Sequence, residues 1–201
     1  MIKAILFDLG GVVVFNDLNA QLKDFSEELN IDIEILRELE IENHIKLILG
    51  KKSVKEFCSS IKSRFSLGQD SLTLSLIWNR IYNTHAKLNF ELLEKLKELK
   101  KDYKLGLITN IEDLPAQTHQ RQRLYQNFKV SLLSCRIGVA KPDIKIYARA
   151  ISSLGLKGSE CIFIDNKKSN LVPAKEFGMK TILYKDNEQL FKDLKKLKCL
   201  K

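Results

Sequence analysis

The stretch ILFDLGG at residues 5–11 decides the fold class of this chain. It contains the second half of a short, nearly continuous apolar run over residues 2–7, which is typical of a central strand buried on both faces of a parallel sheet. Asp8 follows directly where this predicted strand ends. In open parallel sheets, ligands bind outside the carboxyl ends of the strands. Asp8 is therefore the first candidate functional residue.

Three later segments place polar residues in comparable positions. They read ITN at residues 108–110, AKPD at residues 140–143 and IFID at residues 162–165. The first and third close apolar runs, and the second lies in a predicted loop. With the first stretch they supply a carboxylate, a hydroxyl, a cation and a second carboxylate: Asp8, Thr109, Lys141 and Asp165. These are the groups that phosphoryl transfer needs, so we expect them to converge on one pocket.

The rest of the chain divides into a helical stretch and an alternating one. From residue 17 to about residue 85, apolar residues recur at spacings of three and four, which predicts helices and no strand. Ser53 and Glu56 predict a capping box at the start of one of them. From residue 87 onward, strands and helices alternate with short links, as in a parallel sheet covered on both faces. The predicted strands are 2–7, 105–108, 130–133, 159–164 and 181–184, and the later helices are 144–154, 170–177 and 189–197.

The bulk properties exclude several function classes. The net charge of +9 comes from 34 Lys and Arg against 25 Asp and Glu. Lysines account for most of the excess and no nucleic-acid recognition motif accompanies them, so we interpret the charge as a solvated surface that attracts anionic substrates. No apolar run reaches the ~20 residues of a membrane span. Cys135 and Cys161 adjoin apolar runs and are interpreted as buried free thiols, which fits a reducing cytoplasm.

The four segments together resemble the motifs of the haloacid dehalogenase-like hydrolase superfamily, most of whose members are magnesium-dependent phosphatases. The resemblance spans the whole chain: DLGGV at residues 8–12, Thr109-Asn110, Lys141-Pro142 and Asp165-Asn166 stand in the family's order. It implies an α/β protein with a Rossmann-like, three-layer parallel-sheet core and an inserted all-helical cap. The corresponding domains are a core of residues 1–14 and 87–201 and a cap of residues 15–86.

The resemblance also implies roles for individual residues. Asp8 would be the nucleophile that forms an aspartyl-phosphate, and Lys141 would offset the negative charge gathered there. Substrate would be bound by Gly11, Thr109 and Asn110. The implied cofactor is Mg²⁺, and its ligands would be Asp8, the carbonyl of Gly10, Asp165 and Asn166.

Two residues depart from the family pattern. Gly10 stands where the family usually has a second aspartate that acts as general acid and base, and losing such a group costs roughly 10²–10⁴ in rate. Some phosphatases of the superfamily resemble this chain in carrying Gly there. Asn166 replaces an acidic residue, so it keeps an oxygen ligand but loses a charge. The candidate substitutes for the missing acid are Asp17, Asp113 and His119, each better interpreted as a surface or capping residue.

The leading hypothesis is magnesium-dependent hydrolysis of a small phosphorylated metabolite in the cytoplasm, without nucleic-acid or membrane partners. A second hypothesis, motivated by Gly10 and Asn166, is a degenerate member that binds a ligand or partner without turnover. A third is metal-free dehalogenation of a 2-haloacid, with Asp8 attacking carbon; Thr109 and Asp165 argue mildly against it. The sequence leaves open the substrate, the oligomeric state and whether Asp165 or Asn166 contacts the metal.

Overall fold

The computed structural model describes residues 1–200 and contains a central sheet, a small ribbon and surrounding helices. The strands are β1 (Ala4–Phe7), β2 (Val14–Phe15), β3 (Lys87–Leu88), β4 (Lys104–Thr109), β5 (Val130–Leu133), β6 (Cys161–Asp165) and β7 (Lys180–Leu183). The helices are α1 (Leu18–Leu29), α2 (Ile33–Ile48), α3 (Val54–Phe65), α4 (Ser71–His85), α5 (Phe90–Leu99), α6 (Asp113–Arg121), α7 (Ser134–Ile137), α8 (Ile144–Leu154), α9 (Lys168–Glu176) and α10 (Asn187–Lys196). Short 3₁₀ turns cover Leu124–Asn127 and Gly158–Glu160.

The central sheet has five parallel strands in the order β5-β4-β1-β6-β7. β1 lies in the middle, where Phe7 pairs with Leu107 on one side and Ile164 on the other. The carboxyl ends of these three strands therefore meet at one edge. This register places the residues after Phe7, at the end of β4 and at the end of β6 next to one another.

Alternate side chains of β1 enter two separate cores, which makes the fold three-layered. Ile5 and Phe7 pack in a core with apolar residues of α5 and α10, whereas Ala4 and Leu6 pack on the other face with α8 and α9. All four side chains are fully buried. Burial on both faces explains why the strand is an unbroken apolar run, and the predicted α/β architecture is confirmed.

The four helices α1–α4 follow β2 and share a third apolar core. Its centre is Trp78, which packs edge-on against Phe25 at 5.1 Å and Phe57 at 5.6 Å between ring centroids. The predicted capping box is present at the start of α3, where Ser53 accepts the amide of Glu56 and Glu56 accepts the amide of Ser53. These helices pack on one another, so they form a unit with its own interior.

The ribbon of β2 and β3, helix α6 and the short helix α7 were absent from the sequence predictions. The antiparallel ribbon of β2 and β3 pairs Val14 with Leu88 and carries the chain from the sheet to the helical unit and back. Helix α6 follows β4 and packs against α4.

The four cysteines are free thiols; Cys161 is buried as expected, but Cys135 is only partly buried. Within residues 1–200, no helix has the length and apolar character needed to cross a membrane.

Candidate active site

The two carboxylates of the candidate site stand side by side at the carboxyl edge of the sheet. The amide of Asp8 donates to the carbonyl of Ile164 at 2.8 Å, one residue before Asp165, so the strand register itself brings the two aspartates together. Both are withdrawn from solvent: Asp8 is 6% exposed and Asp165 is fully buried. The predicted convergence of these distant segments is therefore what the structure shows.

Lys141 binds both carboxylates. Its Nζ lies 2.6 Å from Asp8 Oδ1 and 2.7 Å from Asp165 Oδ2, and its side chain is 1% exposed. The ammonium group also lies 5.6 Å from the centre of the Phe163 ring, within the range of a cation–π contact. A lysine this deeply buried needs charge partners, because an isolated charge is costly to remove from water. It has two, and the cluster keeps a formal charge of −1.

The two oxygens of Asp8 have different surroundings. Oδ1 accepts both the amide of Leu9 at 2.6 Å and Lys141 Nζ. Oδ2 receives no hydrogen bond from any residue between Met1 and Leu200. Burial raises the pKa of Asp8 to about 6, with Lys141 opposing the rise and the negative charge of Asp165 adding to it. The carboxylate is thus ionised at neutral pH and has one oxygen available for a ligand.

Asp165 is held more tightly than Asp8. Its Oδ1 accepts the amide of Lys167 at 2.8 Å, and Asn170 Nδ2 contacts both carboxylate oxygens at 3.1 and 3.0 Å. The Tyr147 hydroxyl in turn donates to the Asn170 carbonyl at 2.7 Å. This support fixes the orientation of the Asp165 carboxylate toward Lys141.

Asn110 uses its side chain to hold the lysine loop. Its Nδ2 donates to the carbonyl of Lys141 and its Oδ1 accepts the amide of Lys141, both at 2.8 Å. Ser134 fixes the loop after β4 in a similar way, because its Oγ accepts the amide of Ile111 at 3.0 Å. Thr109, 1% exposed, lies at the end of β4 beside these contacts. The Asn110 side chain is therefore a positioning group for Lys141.

Gly11 and Asn166 lie against each other above the strand ends. Gly11 has φ +78°, and a Cβ placed on it would come within 2.1 Å of Asn166 Nδ2. The positive φ favours glycine there, and a side chain at position 11 would also force the exposed Asn166 side chain to move. Gly10 is different, because a Cβ on it would meet no atom within 4 Å.

The donor set at this edge fits Mg²⁺. This cation prefers oxygen ligands and is commonly held by one or two carboxylates with several waters. Asp8 and Asp165 supply two carboxylates, and the charge of −1 left after pairing with Lys141 would repel a phosphate ester unless another cation offset it. Within the described chain, no three His, Cys, Asp or Glu side chains surround one metal position. The remaining ligands would therefore be the Gly10 carbonyl, the Asn166 amide and water.

Two adjoining cavities open at the site. The first, about 300 Å³, is lined by residues that include Asp8, Lys141, Lys167 and Asn170. The second, about 170 Å³ and mostly apolar, lies toward the helical unit and is lined by residues such as Glu40, Tyr82 and Glu112. Four residues line both cavities: Gly10, His44, Ile48 and Asn110. A ligand spanning them would place a charged end at Asp8 and a less polar end under the helices.

In the structure, the three candidate substitutes for the missing acid make contacts away from Asp8. Asp17 caps α1 by accepting the amide of Ala20 at 3.1 Å. Asp113 accepts the amide of Val54 at 3.0 Å and so joins α6 to the start of α3. His119 is buried between the Tyr82 hydroxyl at 2.7 Å and Gln122 at 3.0 Å. None of the three lines the cavity that contains Asp8.

Sequence reasoning missed two ionisable residues that line the cavity containing Asp8, His44 and Lys167. The available signal for His44 was its spacing of four from Glu40 on a predicted helix, since such pairs face each other. That signal does not say which surface the pair would meet. Lys167 is one lysine among many, and only its position two residues after Asp165 distinguishes it.

Comparison with known proteins agrees with this geometry. The profile of the haloacid dehalogenase-like hydrolase family matches residues 2–178. Bifunctional epoxide hydrolase 2 of Sus scrofa is 31% identical over 120 residues, 57% of this chain, and the match covers 22% of that protein. The chain thus spans only about a quarter of the length of its mammalian relatives.

Two bacterial proteins match over most of their length. D-ribitol-5-phosphate phosphatase of Bacteroides thetaiotaomicron is 25% identical over 190 residues, covering 90% of this chain and 91% of that protein. A crystal structure of an enzyme of the family from the same organism, in complex with magnesium and inorganic phosphate, superposes with a TM-score of 0.82 at 22% identity, covering 95% of this chain and all of the other. The second comparison shows the shared fold. Given the profile match across nearly its whole length, this chain belongs to the haloacid dehalogenase-like hydrolase family.

Proposed function

We propose that this protein is a magnesium-dependent phosphatase that hydrolyses a small phosphorylated metabolite. The observation that carries the proposal is the buried Lys141, which binds Asp8 Oδ1 and Asp165 Oδ2 and leaves Asp8 Oδ2 without a hydrogen bond from the described residues, at a cavity that Asp8 lines. An ionised carboxylate with one unpaired oxygen next to a fixed cation is suited to nucleophilic attack. The match to D-ribitol-5-phosphate phosphatase supports a phosphate ester as the substrate class.

In the proposed reaction, Asp8 Oδ2 attacks phosphorus and the ester oxygen leaves, which gives an aspartyl-phosphate that water then hydrolyses. Lys141 holds the nucleophile in place and offsets charge as the phosphoryl group binds. The family resemblance assigns the phosphoryl oxygens to Gly11, Thr109 and the backbone of Asn110. Of these, Asn110 lines the cavity that contains Asp8, and Thr109 lines the adjoining apolar cavity. The Asn110 side chain serves the reaction indirectly, through its two hydrogen bonds to Lys141.

Mg²⁺ bound by Asp8, Asp165, the Gly10 carbonyl and the Asn166 amide would neutralise the charge of the bound phosphate. Asp165 is proposed as the stronger of the two ligands at the end of β6, because it is a buried carboxylate fixed by Asn170. The exposed Asn166 amide carries no charge and would add only an oxygen ligand.

We further propose that residues 15–86 form a cap that chooses the substrate, over a core made of residues 1–14 and 87–201. The support is that α2 contributes His44, Ile45 and Ile48 to the cavity that contains Asp8. A cap excludes water from the reacting groups and selects the leaving group. The apolar second cavity of about 170 Å³ favours a compact leaving group. The free cysteines are consistent with a cytoplasmic setting.

The Asp8→Asn variant tests the nucleophile. Wild-type protein with Mg²⁺ should release phosphate from 4-nitrophenyl phosphate and from members of a metabolite-phosphate panel, and a chelator should abolish the release. Asp8→Asn should fall to background, because an amide cannot form the acyl phosphate. The matched control is Asp17→Asn, since Asn caps a helix as well as Asp does and should keep full activity. Equal activity of Asp8→Asn and wild type would refute the assignment.

The same assay separates the two other hypotheses. Gly10 and Asn166 favour a degenerate ligand-binding protein, and that alternative predicts binding of Mg²⁺ and phosphate with no turnover on the whole panel. Chelator-resistant release of halide from a 2-haloacid would instead indicate dehalogenation by Asp8. Either result would replace the phosphatase proposal.

A further inference from the structure

The chain lacks a side chain at position 10, so the proposed reaction has no aspartate to protonate the leaving oxygen. The structure offers a different group in the right place. His44 lies on α2 and lines both cavities, the one that contains Asp8 and the apolar one under the helices. A phosphate ester spanning the two cavities would have its bridging oxygen between them, and His44 is the one titratable residue among the four that line both.

His44 also has the hydrogen bonding that a proton donor needs. Its Nδ1 lies 2.8 Å from Oε1 of Glu40, which is one turn earlier on α2 and 5% exposed. Nε2 makes no hydrogen bond to any part of the chain that the structure describes. The carboxylate thus favours the protonated ring and fixes its orientation, while the second nitrogen is available for proton transfer.

We propose that His44, positioned by Glu40, is the general acid and base that replaces the aspartate absent at position 10. The inference rests on the proposed phosphatase function. In the first step Asp8 Oδ2 bonds to phosphorus, the phosphorus–ester oxygen bond breaks, and the proton on His44 Nε2 passes to the leaving oxygen to give an alcohol. In the second step His44 takes a proton from water as that water attacks phosphorus, and the bond from phosphorus to Asp8 breaks.

The surroundings of His44 favour its charged form. The pKa of His44 is raised from its ordinary value of 6.5, first by the hydrogen bond to Glu40, against the opposing effect of burial. The charges of Glu40 and Glu112 act in the same direction, and Lys167 acts against them. Glu112 is the rival proton donor, but it lines only the apolar cavity and is not among the residues around Asp8.

The test compares leaving groups that do and do not need a proton. With an alkyl phosphate such as glycerol 3-phosphate, His44→Gln should lose about 10²–10⁴ in turnover, the usual contribution of a general acid. With 4-nitrophenyl phosphate, whose leaving group departs as an anion, the same variant should keep a stoichiometric burst of nitrophenolate. The phosphorylated protein should then accumulate, because its hydrolysis lacks the base. A residue that only shaped the pocket would lose the burst as well.

Three further measurements bear on the same assignment. Wild-type turnover of the alkyl phosphate should fall on the basic side as His44 loses its proton, and Glu40→Gln should move that fall to lower pH. The three histidines give a readout independent of activity: NMR titration should show His44 with a pKa above the ordinary value, lowered in Glu40→Gln. Since a Cβ on Gly10 meets no atom within 4 Å, Gly10→Asp should fit and restore turnover in the His44→Gln background.

The matched control is His85→Gln, because His85 also pairs with a carboxylate, Asp24 at 2.7 Å, but lines neither cavity. It should behave as wild type. The proposal is overturned if His44→Gln turns over alkyl phosphates normally, if its burst is lost, if Gly10→Asp restores nothing, or if Glu112→Gln abolishes the basic limb instead. If wild-type protein releases no phosphate at all, the phosphatase function itself has failed.

Discussion

Lys141 is the residue on which the site depends, because it is the cation shared by two buried carboxylates. Removing one member of a buried charge cluster leaves the others uncompensated, which costs roughly 3–5 kcal/mol. The chain has several contacts that keep this cluster in place. Asn110 bonds both backbone groups of Lys141, and Asn170 bonds both oxygens of Asp165. The neutral side-chain amides of Asn110 and Asn170 thus hold this cluster of two carboxylates and one ammonium group in place.

Glu112, like Asp8, is a carboxylate whose ionised form is disfavoured by burial. Its effect on the stability of the protein should therefore depend on pH. Burial, then the charge of Glu40, raises the pKa of Glu112 from 4.5 to about 7. The folded state therefore binds this proton more tightly than the unfolded state does. Its contribution to stability is complete below pH 4.5 and is lost as the pH rises through about 7.

We therefore expect Glu112→Gln to stabilise the protein at pH values above the folded-state pKa. The gain in unfolding free energy should be about 1–3 kcal/mol near pH 8 and below about 1 kcal/mol near pH 5. Urea unfolding at the two pH values measures it. Glu94→Gln is the control, since Glu94 is 70% exposed and should change neither value appreciably. A gain for Glu112→Gln that is equal at both pH values would contradict the assigned cause.

At the scale of elements, α2 is the helix that joins the helical unit to the site. It contributes His44 and Ile48 to the cavities, and the turn after it meets α7 of the core. Gly50 in that turn has φ +66°, and a Cβ on it would lie 2.0 Å from the carbonyl oxygen of Cys135. The backbones of the two units therefore approach closely enough there that only glycine fits.

Gly50→Ala should loosen this contact, and Gly138→Ala provides a matched comparison. Gly138 has nearly the same backbone conformation, φ +67°, but a Cβ there would meet nothing within 4 Å. Both variants should lose about 1–2 kcal/mol of unfolding free energy, because alanine is disfavoured in the left-handed conformation. Gly50→Ala should lose a further 1–3 kcal/mol or so from overpacking. Urea unfolding gives the difference between them. Equal losses would mean that the turn adapts and that the contact does not fix α2.

Elements with strong periodicity were predictable from the sequence, and contacts between elements were not. The strand over 130–133 and the helix over 144–154 have the predicted bounds, because their apolar residues face a core. The two-residue ribbon is too short to show a period, and α6 carries a mostly polar sequence. Asp8 and Asp165 were predictable because parallel strands end at one edge, whereas Lys141 lies in a loop and was predictable only from its resemblance to the family's motif. His44 was not, because nothing in a sequence fixes how an inserted helix meets the core.

In the whole molecule, the helical unit and the sheet core are connected through side chains as well as through the ribbon. The Tyr82 hydroxyl on α4 bonds His119 on α6, and Thr118 on α6 donates to Asn79 on α4 at 3.1 Å. Both units line the cavities, so a ligand bound there touches both. Binding should therefore stabilise the two units together, and the stability of each should respond to a ligand held mainly by the core.

Trp78 makes this coupling measurable, because it is the single tryptophan of the chain and is buried in the interior of the helical unit. Mg²⁺ with inorganic phosphate at about 100 times Kd should stabilise the native state by about 2.7 kcal/mol. For a chain of this size that corresponds to a rise in Tm of about 5–10 °C. The Tm followed by Trp78 fluorescence should rise together with the Tm followed by far-UV circular dichroism.

The controls for this coupling are Mg²⁺ alone and phosphate alone. Each should raise Tm by less than the two together. Phosphate without the cation meets the residual negative charge of the Asp8, Lys141 and Asp165 cluster. A Trp78 transition that stays in place while the circular dichroism transition moves would mean that the helical unit unfolds independently of the occupied site. His44 could not then be held over a bound phosphate by the folded core, and the proton-transfer proposal would lose its structural basis.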